Sequence, residues 1–425
     1  LCGAVLFRKP FLTESRSWLT PVIFTVSLGL ILIEVWWFYR TKLIQKISHL
    51  LILILACSGF AIAAHTEADF QWVKQTVLTA NPSSLEKLGQ HFIVGYRNLE
   101  EAKALVERRA IAGVFITTRN IQHKTKAEIR DEIRSLQAIR QTQGLSPLWI
   151  ATDQEGGIVS RLSPPLTPLP PLASIVNSQA AIASQKDAVF QYAHVHGKEL
   201  SELGINLNFA PVVDLNKQIV NPSDRYSRIY QRAISADKTI VAQVASWYCD
   251  TLASHHVHCT LKHFPGLGRI NNDTHVEEAQ LPTPIATLVQ DDWVPFRTLM
   301  GHVQAFVMLG HARLMAIDAD HPVSFSKAVI TDLIRDQWHY QGILVTDDFC
   351  MQAVYGSNDG VGKASLTALN SGVDLILLSF DPDLYYDAMN ALLKAEKTGS
   401  VKNEPLATSQ QRLTYQWSGS HDQPS

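Results

Sequence analysis

The sequence lacks a surplus of either charge: 37 Lys and Arg stand against 39 Asp and Glu, and only 18% of residues are charged. It also has no long Lys/Arg-rich run, which argues against a nucleic-acid binder that must neutralise many phosphates. Cysteine is scarce. Cys2, Cys57, Cys249, Cys259 and Cys350 show no paired spacing, so the expectation is neither a disulfide framework nor a CxxC zinc site. Apolar material is plentiful at 46%, enough to bury a large core, which excludes a disordered chain.

Two apolar runs open the chain. From Ser17 to Ile33 no charge occurs, and beyond Glu34 the run reaches Trp36, Trp37, Phe38 and Tyr39, an interfacial aromatic cluster; this reads as a marginal transmembrane helix. The second run, Leu50 to Ala64, follows Lys42 and Lys46 and ends in small residues at AIAA, the layout of a secretory signal peptide. A simple uncleaved anchor accounts for the same residues equally well, while a lipid anchor at Cys57 fits poorly with Leu55. Both flanks of the first run are basic, with Arg8, Lys9 and Arg16 before it and Arg40, Lys42 and Lys46 after it. A two-helix hairpin would therefore translocate a basic loop, against the positive-inside tendency. The first Met is Met300, which suggests a start at a non-Met codon near Leu43. The expected organisation is a signal or transmembrane region over 1–65, a catalytic domain over 66–395 facing an extracytoplasmic space, and a polar, frayed tail over 396–425.

Within the body, β-branched apolar runs alternate with helical patterns. Strands are expected at His91–Tyr96, Gly113–Thr117, Leu148–Asp153, Leu207–Asp214, Cys259–Phe264, Ala305–Leu309, Ile343–Asp347 and Val373–Leu378. Eight strands separated by helices predict an α/β fold, a single (β/α)8 TIM-type barrel, with a doubly wound sheet as the alternative. Asp153, Asp214, His263 and Asp347 stand at the C-terminal ends of these strands, where barrels place their chemistry. Each alone reads as a loop-tying residue; four together point to one mouth.

Three segments carry chemistry. In TDQEGGIVSRL, Asp153 and Arg161 suit sugar hydroxyls, and Gly156-Gly157 permits a tight turn. In LKHFPGLGRINNDTHVE, Lys262 and His263 leave a strand, and Asp273 lies two residues before His275. A carboxylate there can orient the imidazole as proton donor and acceptor, although an Asx turn beside an exposed His explains the spacing equally. In GILVTDDFCM an apolar strand delivers Asp347-Asp348 to the mouth, with Asp347 placed to act as nucleophile. His255, His256, His258, Cys259 and His263 invite a metal reading, but strand alternation separates His258 from Cys259, so no metal is expected.

KHFPGLG followed by DTH, DQEGG ahead of VSR, and ILVTDDFCM together resemble glycoside hydrolase family 3, in its β-N-acetylhexosaminidase branch. TTRNI, NFAPVVD and PVSFSKAVITDLIRD extend the resemblance from about Leu88 to Leu378. It implies removal of terminal β-linked N-acetylglucosamine from peptidoglycan fragments or chitin-type oligosaccharides, with retention and through a covalent glycosyl-enzyme. It assigns Asp347 as nucleophile, His275 as acid/base with Asp273 as its partner, and Asp153, Arg161, Arg232, Lys262 and His263 as substrate-binding residues, with no cofactor. A glycoside phosphorylase and a non-catalytic sugar-binding barrel are the alternatives. A two-domain β-glucosidase is disfavoured by the short stretch after Leu378. The sequence departs from the family's PGHGD loop at Leu267 and Arg269, and has Ile158 where an Arg usually follows GG. Arg269 is expected either to lower the pKa of His275 or to recruit an anionic substrate.

Overall fold

The computed structural model describes residues 6–176, 181–301 and 305–419. Contacts divide the chain into a unit ending at Ala80 and one beginning at Asn81. In the first unit, helices α1 (Arg16–Arg40) and α2 (Leu43–Leu78) pack against each other across a two-residue turn. Helix α2 runs unbroken through Ala61–Ala64, so the boundary expected after residue 65 falls inside it.

The second unit begins with α3 (Pro82–Gly89), capped by the Asn81 side chain. Eight parallel strands follow: β1 (Phe92–Gly95), β2 (Gly113–Phe115), β3 (Trp149–Thr152), β4 (Leu207–Asn208), β5 (Thr260–Phe264), β6 (Phe306–Leu309), β7 (Leu344–Asp348) and β8 (Leu375–Leu378). They pair in the order β4-β3-β2-β1-β8-β7-β6-β5. Parallel bridges Leu207–His258 and Val212–Lys262 span the remaining gap, leaving an eight-stranded, nearly closed barrel rather than a doubly wound sheet. All eight expected strands are present, the fourth much shortened. Pro211 has no N–H to give the ladder, and beyond it single contacts such as Val213 N to Lys262 O (2.8 Å) continue the direction.

Burial on both faces explains why these strands read as continuous apolar runs. Ile93, Phe115, Trp149, Phe209, Phe306, Met308, Val345 and Leu377 fill the barrel. Helices α4 (Leu99–Glu107), α5 (Lys126–Thr142), α6 (Ile182–Leu203), α7 (Lys238–Ala253), α8 (Val294–Met300), α9 (Gly360–Asn370) and α10 (Leu384–Lys397) follow or bracket the strands. Their starts are written locally: Thr125 and Glu128 form a capping box on α5, and Asp237 accepts from two N–H groups of α7.

Two expectations are corrected. Cys249 on α7 and Cys259 before β5 form a disulfide, because the chain reverses between them and brings their Cα atoms to 5.4 Å, within bridging range. The segment expected to be a frayed tail is helix α11 (Asn403–Gly419). Its Leu413 is buried in the barrel core and Trp417 stacks on Trp149 with ring centroids 4.0 Å apart. Arg412 donates to the buried Asp374 at 2.9 Å, opposite Arg335 at 2.6 Å. A polar composition concealed one apolar stripe and one buried ion triad. Leu413→Ala is therefore expected to destabilise the body by about 2–5 kcal/mol, checked by denaturant unfolding.

Candidate active site

Strand β7 carries two adjacent carboxylates with different duties. Asp348 accepts from Cys350 N (2.9 Å), Ser379 N (3.0 Å), Ser379 Oγ (2.5 Å) and Phe380 N (3.1 Å), so it ties the end of β7 to the end of β8. Among the described residues Asp347 takes one hydrogen bond, from Asp348 N at 2.8 Å, and it stays partly open at the mouth. Burial pushes its pKa up, but the imidazoles of His263, His311 and His275 outweigh that, and its carboxyl is held below the ordinary value of 3.8. It is thus ionised at neutral pH, as a carboxylate nucleophile must be.

The loop after β5 places the second group. Asp273 is buried and receives Tyr226 N (3.0 Å), Arg225 N (3.3 Å), Ser227 Oγ (3.1 Å) and His275 N (3.0 Å). Its Oδ1 also lies 2.8 Å from Nδ1 of His275. Burial raises the Asp273 pKa, but these hydrogen bonds and the imidazole more than reverse that and hold it far below the usual carboxylate range. With Nδ1 engaged by an anion, the other ring nitrogen is left for proton transfer, and the ring is 38% exposed. The His275 carbonyl accepts from Gln352 N at 3.0 Å, fastening this loop to the turn after β7. Gly268 permits the loop's close seating, since a Cβ there would meet Leu215 O at 1.9 Å.

A polar wall lines the strand ends between them. Lys262 Nζ lies 2.7 Å from Asp153 and 2.6 Å from Glu155, and Arg232 grips Glu155 through Nε (2.9 Å) and Nη2 (2.7 Å). Arg232 also reaches Ser227 O (2.8 Å) and His263 Nε2 (3.3 Å), while His263 Nδ1 bonds Asp214 at 2.7 Å. Asp153, Arg232, Lys262 and His263 are therefore brought into one network. Arg161 joins it only through its backbone, donating to Asp153 O at 3.1 Å; its side chain is exposed. Gly156 turns the chain there at φ +92°, where a Cβ would meet the Tyr192 hydroxyl at 1.8 Å.

Two members of this site were missed in the sequence. Glu155 is the hub of the wall, two residues past Asp153 and hence on the same side of an extended segment. His311 follows the C-terminal end of β6, and its ring nitrogens engage Ser324 Oγ (2.8 Å) and Asp348 O (3.0 Å). The strand-end rule applied to four other residues would have found it. Burial pushes the Glu155 carboxyl up, but Arg232 and Lys262 overturn this and bring it down to about 2. A carboxyl depressed on folding gives stability that is present above its unfolded pKa, near 4.5, and is lost as pH falls toward 2. Glu155→Gln should remove that acid dependence and cost about 3–5 kcal/mol by leaving the buried Arg232 without its paired carboxylate and Lys262 with Asp153 alone, measured by thermal unfolding across pH 2–7.

Comparison with known proteins gives the family. Residues 84–415 match the model of the glycosyl hydrolase family 3 N-terminal domain. The chain belongs to glycosyl hydrolase family 3. Among its relatives, a beta-hexosaminidase of Nitrosomonas eutropha is 30% identical over 303 residues, which is 71% of this chain and 82% of that protein. Beta-hexosaminidase LpqI of Mycobacterium tuberculosis is 32% identical over 300 residues, 69% of this chain and 73% of that protein. Of solved structures, a family 3 beta-N-acetylglucosaminidase from Paenibacillus superposes with a TM-score of 0.71 at 29% identity. That match covers 80% of this chain and 64% of the Paenibacillus chain, so this chain spans under two thirds of it. A beta-N-acetylhexosaminidase from Beutenbergia cavernae superposes at 0.69 with 25% identity, covering 79% and 98%.

Within the family pattern, the loop departures have structural answers. Leu267 is buried with Ile229, Ala233, Ala279 and Ala312, so an apolar contact replaces a polar loop group. The Arg269 guanidinium is held by Asp292 (2.7 Å) and Asp291 (2.5 Å). Ile158 is exposed. Among the described residues no three His, Cys, Asp or Glu side chains converge as a metal site; His255 meets His194 instead, at 3.0 Å.

Proposed function

We propose that this family 3 member is a retaining exo-β-N-acetylhexosaminidase that removes terminal β-linked N-acetylglucosamine from peptidoglycan fragments or chitin-type oligosaccharides. One observation carries the reading: an ionised carboxylate and an Asp-supported imidazole are delivered to one barrel mouth by β7 and the loop after β5. Similarity to beta-hexosaminidases and to the superposed beta-N-acetylglucosaminidase and beta-N-acetylhexosaminidase supports the sugar. In the first step Asp347 attacks the anomeric carbon while His275 gives its proton to the departing oxygen. In the second, His275 takes a proton from the water that attacks the glycosyl-aspartate, restoring both groups. Asp273 orients the imidazole and balances its charge. Asp153, Lys262, Arg232, His263 and the exposed Arg161 bind the sugar hydroxyls, with the four networked residues pre-set by Glu155. No cofactor is needed for either step.

The catalytic body is placed outside the cytoplasm. The two apolar helices supply a signal or anchor, and the Cys249–Cys259 disulfide fits an oxidising compartment. The activity is tested by release of 4-nitrophenol from its N-acetyl-β-glucosaminide and β-glucoside. Preference for the former is expected, and equal or reversed preference would reject the hexosaminidase assignment.

A further inference from the structure

The unit before Asn81 is built inside out relative to a helix pair in water. Many of its leucines face outward, with Leu28 at 50%, Leu32 at 62%, Leu51 at 58% and Leu55 at 53% exposure, while a small cluster of Phe7, Ala63, Leu19, Ile23 and Phe24 packs inside. One acid–imidazole pair is turned inward, Glu34 Oε2 to His49 Nδ1 at 2.6 Å, with the Trp37 ring parallel to that of His49, while the second, His65 with Asp69 at 3.4 Å, lies exposed beyond the uncharged run of α2. Polar groups between helices and leucine outside is the arrangement that hydrocarbon selects, because there an ionisable side chain is tolerated only when paired within the bundle. We propose that α1 and α2 form a two-span hairpin in the lipid bilayer, with the turn at Thr41–Lys42 on the cytoplasmic side and the catalytic body on the other.

The dimensions agree. The 25 residues of α1 make about 37 Å of helix, and the uncharged part of α2 from Ser48 to Ala64, with His49 paired, makes about 25 Å; a hydrocarbon core is about 30 Å thick. Both edges carry interfacial chemistry. At the turn, Arg40 lies 4.2 Å over the Trp36 ring and Lys46 5.3 Å from that of Phe38. At the far edge, Arg8 bonds Glu67 at 3.0 Å and lies 3.6 Å over Phe70.

The two basic flanks are used differently. Arg8 is neutralised by Glu67, and Arg16 is buried with its guanidinium on the carbonyls of Phe7, Arg8 and Lys9. Arg40, Lys42 and Lys46 have no carboxylate partner among the described residues. Counted as Lys and Arg, the two flanks are even at three each, so the positive-inside bias sets neither direction. The orientation rests instead on the Cys249–Cys259 disulfide, which fits a body in an oxidising compartment and so puts the turn on the cytoplasmic side.

The test uses the full chain in cell membranes, with Cys2→Ser and Cys57→Ser removing background thiols, and single reporters Thr41→Cys and Glu107→Cys. The membrane-bound fraction should resist carbonate extraction. A membrane-impermeant maleimide should label Glu107→Cys on intact cells, and Thr41→Cys only after permeabilisation. Release by carbonate, including release as a soluble oligomer held by these apolar faces, would overturn the span, as would labelling of both cysteines on intact cells. The orientation deepens the extracytoplasmic placement proposed above. Carbonate resistance with only Thr41→Cys labelled would reject that placement while keeping the span, and glycosidase activity of the same membranes is read separately from either.

Discussion

Asp347→Ala should lower kcat/KM on an aryl N-acetyl-β-glucosaminide by at least about 10⁴-fold while leaving the fold intact. The size follows from the role: without the carboxylate there is no group at the end of β7 to form the glycosyl-enzyme, because Asp348 has both oxygens committed to Cys350, Ser379 and Phe380. Asp348→Asn should accordingly lower thermal stability rather than remove chemistry alone. Azide added to the Asp347 variant should restore turnover of the activated substrate and give the α-glycosyl azide, since the small anion enters from the face that Asp347 vacates. Azide-independent activity near wild type would remove Asp347 from the mechanism.

His275→Ala should separate the two steps. An aryl group that leaves as a weakly basic phenolate needs little protonation, so the first step with that substrate falls modestly. The second step needs a base to deprotonate water, so the glycosyl-enzyme should accumulate, seen as a burst of phenol followed by slow turnover and a lowered KM. For an unactivated disaccharide, where both steps need His275, the loss should be about 10²–10⁴-fold. Asp273→Asn should act in the same direction, since it replaces the anion at 2.8 Å from Nδ1 and loosens a carboxylate that also gathers Tyr226, Arg225 and Ser227. Equal kinetics of wild type and His275→Ala on the disaccharide would show that another group carries the proton. The depressed Asp347 carboxyl adds a sign for pH: the nucleophile stays ionised down to below about pH 3.8, so an acid limb at higher pH belongs to another group.

Much of this was legible in the chain because a parallel barrel buries both faces of each strand and so writes long apolar runs ending in polar residues. Asp347 and His263 needed only that rule. Glu155 did not stand out, because its two cationic partners, Arg232 and Lys262, lie far along the chain and only folding brings them to one carboxylate. The Cys249–Cys259 link was missed for a similar reason: spacing along the sequence says little when a helix and a strand reverse direction between two thiols. Helix α11 was hidden by its own surface, whose Gln, Thr and Ser residues outnumber the few positions, Leu406, Leu413 and Trp417, that meet the core or its edge. The pairing of Arg269 with Asp291 and Asp292, some twenty residues away, was likewise not visible along the chain.

The central claim is a covalent sugar on Asp347. A fluorinated N-acetylglucosaminyl donor that slows the second step, followed by proteolysis and mass spectrometry, locates the attached sugar directly. The account predicts a glycosyl adduct on the peptide containing Gly342–Met351, assigned to Asp347 and absent from Asp347→Ala. An adduct on Asp348 or on any other residue, or none while the substrate is still turned over with release of the α-anomer, would contradict it.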